Sequence, residues 1–329
     1  MTSNNSVRTR RLGQTGLDVG ELGLGTVATV NLEPFEVSEC LRIALEHGVN
    51  FVDTAPVYGN EALFGEAMSD LRDRLVVATK VGGMQNIQEH RSAGALMDQF
   101  HGTLKQLKTS YVDIIQVHEA DYLRWWKDES DIHLEELIRD DEEYDFTGAP
   151  VVEFLHRAIG TGKARFIGLS GKNARLIARI LESIDVDTIL VAHQFNPIYR
   201  NAESFLFPQT EEKGVGVMLG AVLMKGWLAL PMLEWQKERP SWMDEPFARN
   251  YFQFVELSQT SGIPMAELTI RWVLEESRQH CLLFGFKSQE DICQNLSYAI
   301  KGPMPADIKT EIDNIGFVHP LIYQGRDAL

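Results

Sequence analysis

Cysteine is scarce in this chain, with Cys40, Cys281 and Cys293 among 329 residues. An odd number at unrelated spacings supports neither a disulfide framework nor a zinc knuckle, so buried free thiols are expected. No uninterrupted apolar run reaches the roughly 18 residues of a membrane-spanning helix. The polar opening MTSNNSVRTRR also lacks the apolar stretch of a secretory signal, so a cytoplasmic protein with no membrane partner is expected. Positive charge is in deficit: 31 Lys and Arg stand against 47 Asp and Glu, a net charge of −16. A phosphate backbone needs a basic footprint, so nucleic acid is excluded as a partner. No set of His, Cys and carboxylates has metal-ligand spacing; His156, His193 and His319 read as isolated structural histidines, and no metal is expected. Finally, no G-x-G-x-x-G follows an early strand, which removes the signature of an open dinucleotide-binding sheet.

What the chain does have is a repeated alternation of short Val- and Ile-rich runs with amphipathic stretches of helical length. Strands are expected at 22–27, 49–54, 75–81, 112–117, 164–169, 188–194, 216–220 and 281–285. Helices are expected at 35–46, 61–71, 95–107, 151–159, 174–183, 205–212, 265–276 and 289–299. Eight of each in one run of this length predict an α/β protein, a (β/α)8 TIM barrel forming a single domain over 1–329. Residues 9–17, with Gly13 and Gly16, read as an N-terminal hairpin plugging the barrel floor. Two segments exceed an ordinary connection: 119–150, after the fourth strand, and 226–246, after the seventh. Both follow strands, so both are expected over the carboxyl-end face, where barrel active sites are built.

Four polar residues sit at or just beyond apolar strands: Asp53 and Tyr58 in FVDTAPVYG, Lys80 in VVATKVG and His118 in IIQVHEAD. A buried Lys is costly unless paired, and Asp53 is the obvious partner.

Together FVDTAPVYG, VATKVG and IIQVHEAD resemble the Asp, Tyr, Lys and His motifs of aldo-keto reductases. The resemblance runs nearly end to end: RRLGQTGLDVGELGLGT is similar to the family's opening, GKARFIGLSG to its fifth strand and FGFKSQEDICQN to its final cofactor-binding segment. The arrangement is also similar to the branch containing aldose and L-galactose-type sugar dehydrogenases. The chemistry fits. Hydride delivered to a carbonyl leaves charge on oxygen, and a free phenol with a pKa of about 10 is a weak acid for that task. Lys80 is expected to lower the phenol's pKa and Asp53 to keep the lysine charged. Tyr58 would then be the general acid, or the base in the reverse direction, while His118 orients the substrate oxygen.

The same resemblance implies a nicotinamide cofactor. Gly25 and Thr26 would meet it after the first strand, and Ser170 would hold the carboxamide, with Gln194 either sharing the task or being an inward amide bonded to its barrel neighbours. The family's usual Asn after the Ser is Gly171 here, its usual Gln aligns nearer Ala192, and the aromatic residue it commonly has after the seventh strand is missing from GVMLGAVLMKG. Leu223 and Gly226 suit backbone contact with the pyrophosphate, and Lys225 could pair with phosphate or be solvated. Gly285, Lys287, Ser288, Asp291, Gln294 and Asn295 resemble the adenosine site at a helix start. Lys287 and Ser288 suit a 2′-phosphate whereas Asp291 opposes one; Lys287 tips the expectation to NADP(H), with NAD(H) the alternative. Twelve acidic residues against three basic ones make 119–150 strongly negative, and within it Trp125 or Trp126 either walls a substrate pocket or packs the loop down.

Three functions remain open. One is reduction of a small carbonyl, another is oxidation of a neutral aldose to its lactone, and the third is a cofactor-binding regulatory subunit with little turnover. The small carbonyl or sugar is the expected partner, and the sequence leaves the oligomeric state undetermined.

Overall fold

The computed structural model describes residues 5–129 and 132–317; His319 lies outside them. Its centre is a closed barrel of eight parallel strands: β3 (Leu22–Gly25), β4 (Phe51–Asp53), β5 (Val76–Val81), β6 (Val112–Val117), β7 (Ala164–Gly171), β8 (Thr188–Ala192), β9 (Gly216–Gly220) and β10 (Cys281–Gly285). They neighbour one another in chain order, and β10 pairs back onto β3, with Leu282 opposite Leu22 and Gly285 opposite Gly25. All eight expected strands are present. The sixth stops at Ala192 rather than 194 because His193 takes a left-handed conformation, φ 66°, which strand pairing does not tolerate.

The antiparallel pair β1 (Thr9–Arg11) and β2 (Asp18–Gly20) forms the hairpin. It is the floor of the barrel: Leu12, Leu17 and Val19 are buried in one cluster with Phe51, Val76, Ala78, Ile114, Leu190, Met218, Cys281 and Leu283 from the strands. Gly13 (φ +52°) is required there, since a Cβ would stand 2.3 Å from the Gly216 nitrogen. The Arg10 guanidinium fastens the hairpin further by donating to the Leu274, Glu276 and Gln279 carbonyls.

Outside the strands lie α1 (Pro34–Glu46), α2 (Glu61–Ala67), α3 (Ile87–His90), α4 (Ala93–Gln106), α5 (Pro150–Gly160), α6 (Ala174–Leu181), α7 (Phe207–Lys213), α8 (Glu245–Ser261), α9 (Met265–Leu274), α10 (Gln289–Ala299) and α11 (Ala306–Ile315). The sequence reading omitted α3, α8 and α11. For α8 the signals were legible: Asp244 caps it by accepting from the Phe247 amide, and Phe247, Tyr251, Phe254 and Val255 recur at helical spacing on the buried face. Among the described residues, no helix is long and apolar enough to cross a membrane.

The barrel interior is divided. Its lower part is the apolar cluster around the plug, whereas the carboxyl-end part carries Asp53, Lys80 and Gln116, all buried. Helix α2 must come close to hold the segment after β4, and at Gly65 a Cβ would stand 2.1 Å from the Gln106 carbonyl at the end of α4. Helix propensity favours alanine over glycine by about 1 kcal/mol, but the clash is with backbone, and overpacking costs about 1–3 kcal/mol. Gly65→Ala is therefore expected to lower the urea midpoint despite its better propensity; an unchanged or higher midpoint would show that the two helices can separate.

Candidate active site

The carboxyl ends of β4, β5 and β6 bring the four motif residues together. Asp53 ends β4; Lys80 lies in β5, opposite Gln116 of β6, and His118 follows β6. Lys80 Nζ donates to Asp53 Oδ2 at 2.5 Å and to the Thr54 carbonyl at 2.9 Å. Tyr58 ends the short turn Pro56–Tyr58, and its ring centroid stands 5.1 Å from Lys80 Nζ and 6.0 Å from the His118 ring, edge to face. Gly59 (φ 69°) closes that turn, where a Cβ would be strained.

A polar net absent from the sequence reading fixes the turn. Asn60 Nδ2 donates to the Thr26 carbonyl (2.7 Å) and to Thr29 Oγ1 (3.0 Å), while Thr26 Oγ1 donates to Thr54 Oγ1 and Thr54 Oγ1 to Asn60 Oδ1. All four are buried, so the segments after β3 and β4 move as one. Gln116 was also missed: its Nε2 donates to Asp53 Oδ1 at 2.9 Å. The signal was present, because in IIQVH it precedes His118 by two and so shares its strand face.

Burial governs the titration of the site. It pushes the Asp53 carboxyl up, against the pull of Lys80 and Gln116. It pulls the Lys80 ammonium down but is outweighed by Asp53 and Tyr58, so lysine stays charged. For Tyr58, burial exceeds the lowering by Lys80, and the phenol lies above its ordinary value. The expected net lowering is thus corrected: Lys80 acts in that sense, but desolvation of the phenolate is larger. His118 is pushed to about 3 by burial and then by Lys80, so its imidazole is neutral near pH 7.

The tryptophans take the second of the two roles considered for them. Trp125 and Trp126 are 1% and 7% exposed, Trp125 Nε1 donates to the His118 and Glu119 carbonyls, and Trp126 Nε1 to that of Ala120. They pack the loop down and hold the His118 backbone from behind, so neither walls the cavity. Glu119 bridges Lys172 (2.8 Å) and Arg124 (2.9 Å); despite burial, His118 and Lys172 hold its carboxyl at about 2.

A cavity of about 200 Å³ opens beside Tyr58 and Asp53, lined by Gly25, Thr26, Val27, Leu223 and Gly285 at its rim and by Leu22, Leu190, Leu282 and Leu283 below. A Cβ at Gly25 or Gly285 would meet nothing nearer than 3.7 and 3.9 Å, so packing does not demand glycine and the bare backbone faces the cavity. That suits close approach of a flat ring or a phosphate. Ser170 is buried, its hydroxyl donating to the Val117 carbonyl. Gln194 is buried, and its Oε1 accepts from the Ala174 amide at the start of α6 and from Asn201 Nδ2, the inward amide bonded to its barrel neighbours that was the other reading of this residue. Lys225, exposed, and Gly226, half-buried, form a turn with φ 58° and 100°. At α10, Ser288 Oγ accepts from the Asp291 amide, Asp291 Oδ2 from the Lys287 amide (2.7 Å), and Asn295 Nδ2 donates to the Asp291 carbonyl; Lys287 and Gln294 are exposed. No group of three or more His, Cys, Asp or Glu among the described residues is placed to hold a metal.

Of the six non-glycine residues at positive φ among those described, Glu119, His193, Ala221, Met224 and Lys225 follow barrel strands on this face. Such strain costs about 1–3 kcal/mol each and concentrates where function requires it. With its titration at about 3, the His118 imidazole is expected to show no midpoint between pH 5 and 8 in an NMR titration; a midpoint near 6.5 would mean water reaches the ring.

The sequence matches the model of the aldo/keto reductase family over residues 21–316. It is 25% identical over 336 aligned positions to aldo-keto reductase YhdN of Bacillus subtilis (strain 168), covering 92% of this chain and 93% of that protein. The holo form of aldo-keto reductase AKR11C1 from Bacillus halodurans shares the fold, with a TM-score of 0.70 at 22% identity over 94% of this chain and 96% of that one. Its apo form gives a TM-score of 0.69 at the same identity and coverage. Because the family match begins before the first barrel strand and ends beyond the last helix, the chain belongs to the aldo/keto reductase family of nicotinamide-dependent oxidoreductases.

Proposed function

We propose that this protein reduces apolar aldehydes and ketones, with Tyr58 as general acid. The observation that carries the reading is the buried Lys80–Asp53 pair beneath a neutral phenol, with a neutral imidazole across from it. A nicotinamide held in the cavity would supply the hydride. Tyr58 is protonated at pH 7 and gives its proton to the developing alkoxide, and the Lys80 ammonium stabilises the phenolate that remains. His118, being neutral, has one N–H with which to orient the carbonyl oxygen. In the reverse direction the phenolate is the base, and since burial raises the phenol's pKa, oxidation should gain rate as pH rises.

The cofactor's nicotinamide end would be held by Gly25, Thr26 and Ser170, its pyrophosphate by the backbone of Leu223 and Gly226 with Lys225 nearby, and its adenosine end by Gly285, Lys287, Ser288, Gln294 and Asn295. We take Lys287 as the counter-charge that favours NADP(H). Asp291, with its carboxylate on the Lys287 amide, limits that preference. Asp291→Ala is expected to raise the NADP(H)-over-NAD(H) affinity ratio about 5-fold, as removing one like charge worth ~1 kcal/mol would. A ratio unchanged in equilibrium titrations would place the 2′-phosphate elsewhere.

Apolar substrates are favoured by the mouth. Five of the exposed large apolar residues follow strands on this side of the barrel: Val27 and Val30 after β3, Val57 after the adjacent β4, and Leu230 and Leu233 after β9, one strand beyond β10. Val27 itself lines the cavity, whose wall is otherwise largely apolar. An aldose would bring hydroxyls to this surface, and each one buried unpaired costs about 1–3 kcal/mol. A regulatory subunit would have no use for the buried ion pair, whose maintenance is costly.

With cofactor supplied, kcat/KM for straight-chain aldehydes is expected to rise by up to about 4-fold per added methylene, following ~0.8 kcal/mol per CH2 buried. Tyr58→Phe should lower turnover by at least about 100-fold while cofactor affinity holds. Reduced cofactor accumulating with a neutral aldose, and no response to chain length, would replace this reading with the sugar-dehydrogenase one.

A further inference from the structure

Asp53 is 4% exposed, so each of its two carboxylate oxygens needs a donor. Lys80 satisfies Oδ2, and the donor on Oδ1 is the Gln116 amide, at 2.9 Å. We propose that Gln116 is a positioning residue of the catalytic site, holding Asp53 ionised and aimed so that Asp53 can keep Lys80 charged beneath Tyr58. The inference rests on the assignment of Tyr58, Lys80 and Asp53 as the reacting machinery.

Three observations support it. Gln116 is fully buried inside the barrel, where an apolar side chain would fill the space without a polar atom to satisfy. Its Oε1 has no partner among the described residues, so the amide is retained at a cost, and only its N–H groups are used. If the amide were turned over, Oε1 would face the Asp53 carboxylate and repel it, which leaves a single acceptable orientation. The neighbouring strand also makes room. Gln116 pairs with Gly168 of β7, where a Cβ would stand 3.2 Å from Gln116 Cγ and 2.4 Å from Thr188 Oγ1. A side chain at 168 would clash with Thr188 and crowd the Gln116 stem.

The consequence passes along the pair. Without the Gln116 N–H, ionised Asp53 loses one of its two donors and accepts a proton more readily. Lys80 then loses part of the partner that keeps it cationic, and because the pull of Lys80 on the Tyr58 phenolate exceeds the repulsion from Asp53, the phenolate loses stabilisation on balance. The other ionisable groups near the site are His118 and Glu119 after β6, Glu61 of α2 and Cys281 of β10; Gln116 contributes to none of their shifts, and its side-chain hydrogen bond is to Asp53, so a difference between variants reports on this path.

The test compares wild type with Gln116→Met, which has similar length and no donor, and with Gln116→Leu should the first fold poorly. Protein labelled at tyrosine Cζ with 13C is titrated over the range in which it stays folded, the Tyr58 signal being assigned by its loss in Tyr58→Phe. The pH profile of alcohol oxidation and the thermal midpoint are measured on the same samples. Expected is a rise of about one unit in the Tyr58 titration, as loss of one charge-assisted hydrogen bond predicts, and an equal displacement of the oxidation limb, with cofactor affinity unchanged. Gln116→Glu, which sets a second carboxylate against Asp53, should lower kcat further without raising KM for cofactor. Tyr58 titration and oxidation limb both within about 0.2 unit of wild type, with only the thermal midpoint altered, would make Gln116 a packing residue and overturn the inference. If wild type turns over no carbonyl or alcohol yet Tyr58 still shifts in the variants, the proposed function fails and the role of Gln116 stands.

Discussion

A charged lysine and a charged aspartate, each about as buried as any leucine of the core, face one another across adjacent strands at the top of a barrel. Removing two such ions from water costs several kcal/mol per ion, and their attraction compensates only when the contact is close and the remaining lone pairs are satisfied. Much of the surrounding structure meets that condition. The Thr54 carbonyl accepts a second hydrogen bond from the ammonium, the Gln116 amide donates to the second oxygen of the carboxylate, and Gly168 leaves space beside the Gln116 stem. The pair in turn supplies the local field that acts on Tyr58.

The division of the barrel follows from this constraint. Polar groups are confined to the carboxyl ends, so the lower interior must be made watertight by apolar packing, and the hairpin plug with Leu12, Leu17 and Val19 does that. The carboxyl face bears the strain, with left-handed residues at Glu119, His193, Ala221, Met224 and Lys225 turning the chain sharply as it leaves the strands. The long acidic loop is braced rather than free. Its tryptophans hold the His118–Ala120 backbone, Phe146 packs edge to face on Trp126 at 5.0 Å, and Asp121 and Arg124 are buried on backbone partners.

Much of this was legible before any coordinates. Val- and Ile-rich runs at regular intervals specified the eight strands, since parallel strands are buried on both faces and read as continuous apolar runs. Asp53, Lys80 and His118 stood out because ionisable groups in such runs need partners. Gln116 and Asn60 were overlooked for the opposite reason: a neutral amide within or beside an apolar run raises no alarm until its neighbours are known. Helix α8 was overlooked although its cap and periodicity were visible, because the preceding oversized loop was taken to be the whole feature.

The sequence by itself determined the element order, the location of the chemistry at strand ends and the identity of the four motif residues, because these depend on local periodicity and on the cost of burying charge. The tertiary structure decided the rest, because those outcomes depend on which atoms meet across strands distant in sequence. It set Gln116 on Asp53, turned Gln194 toward α6 and Asp291 onto the Lys287 amide, and buried the tryptophans. It also decided the direction of the Tyr58 shift, since the balance between an ammonium's pull and a phenolate's lost hydration is set by how completely the site excludes water.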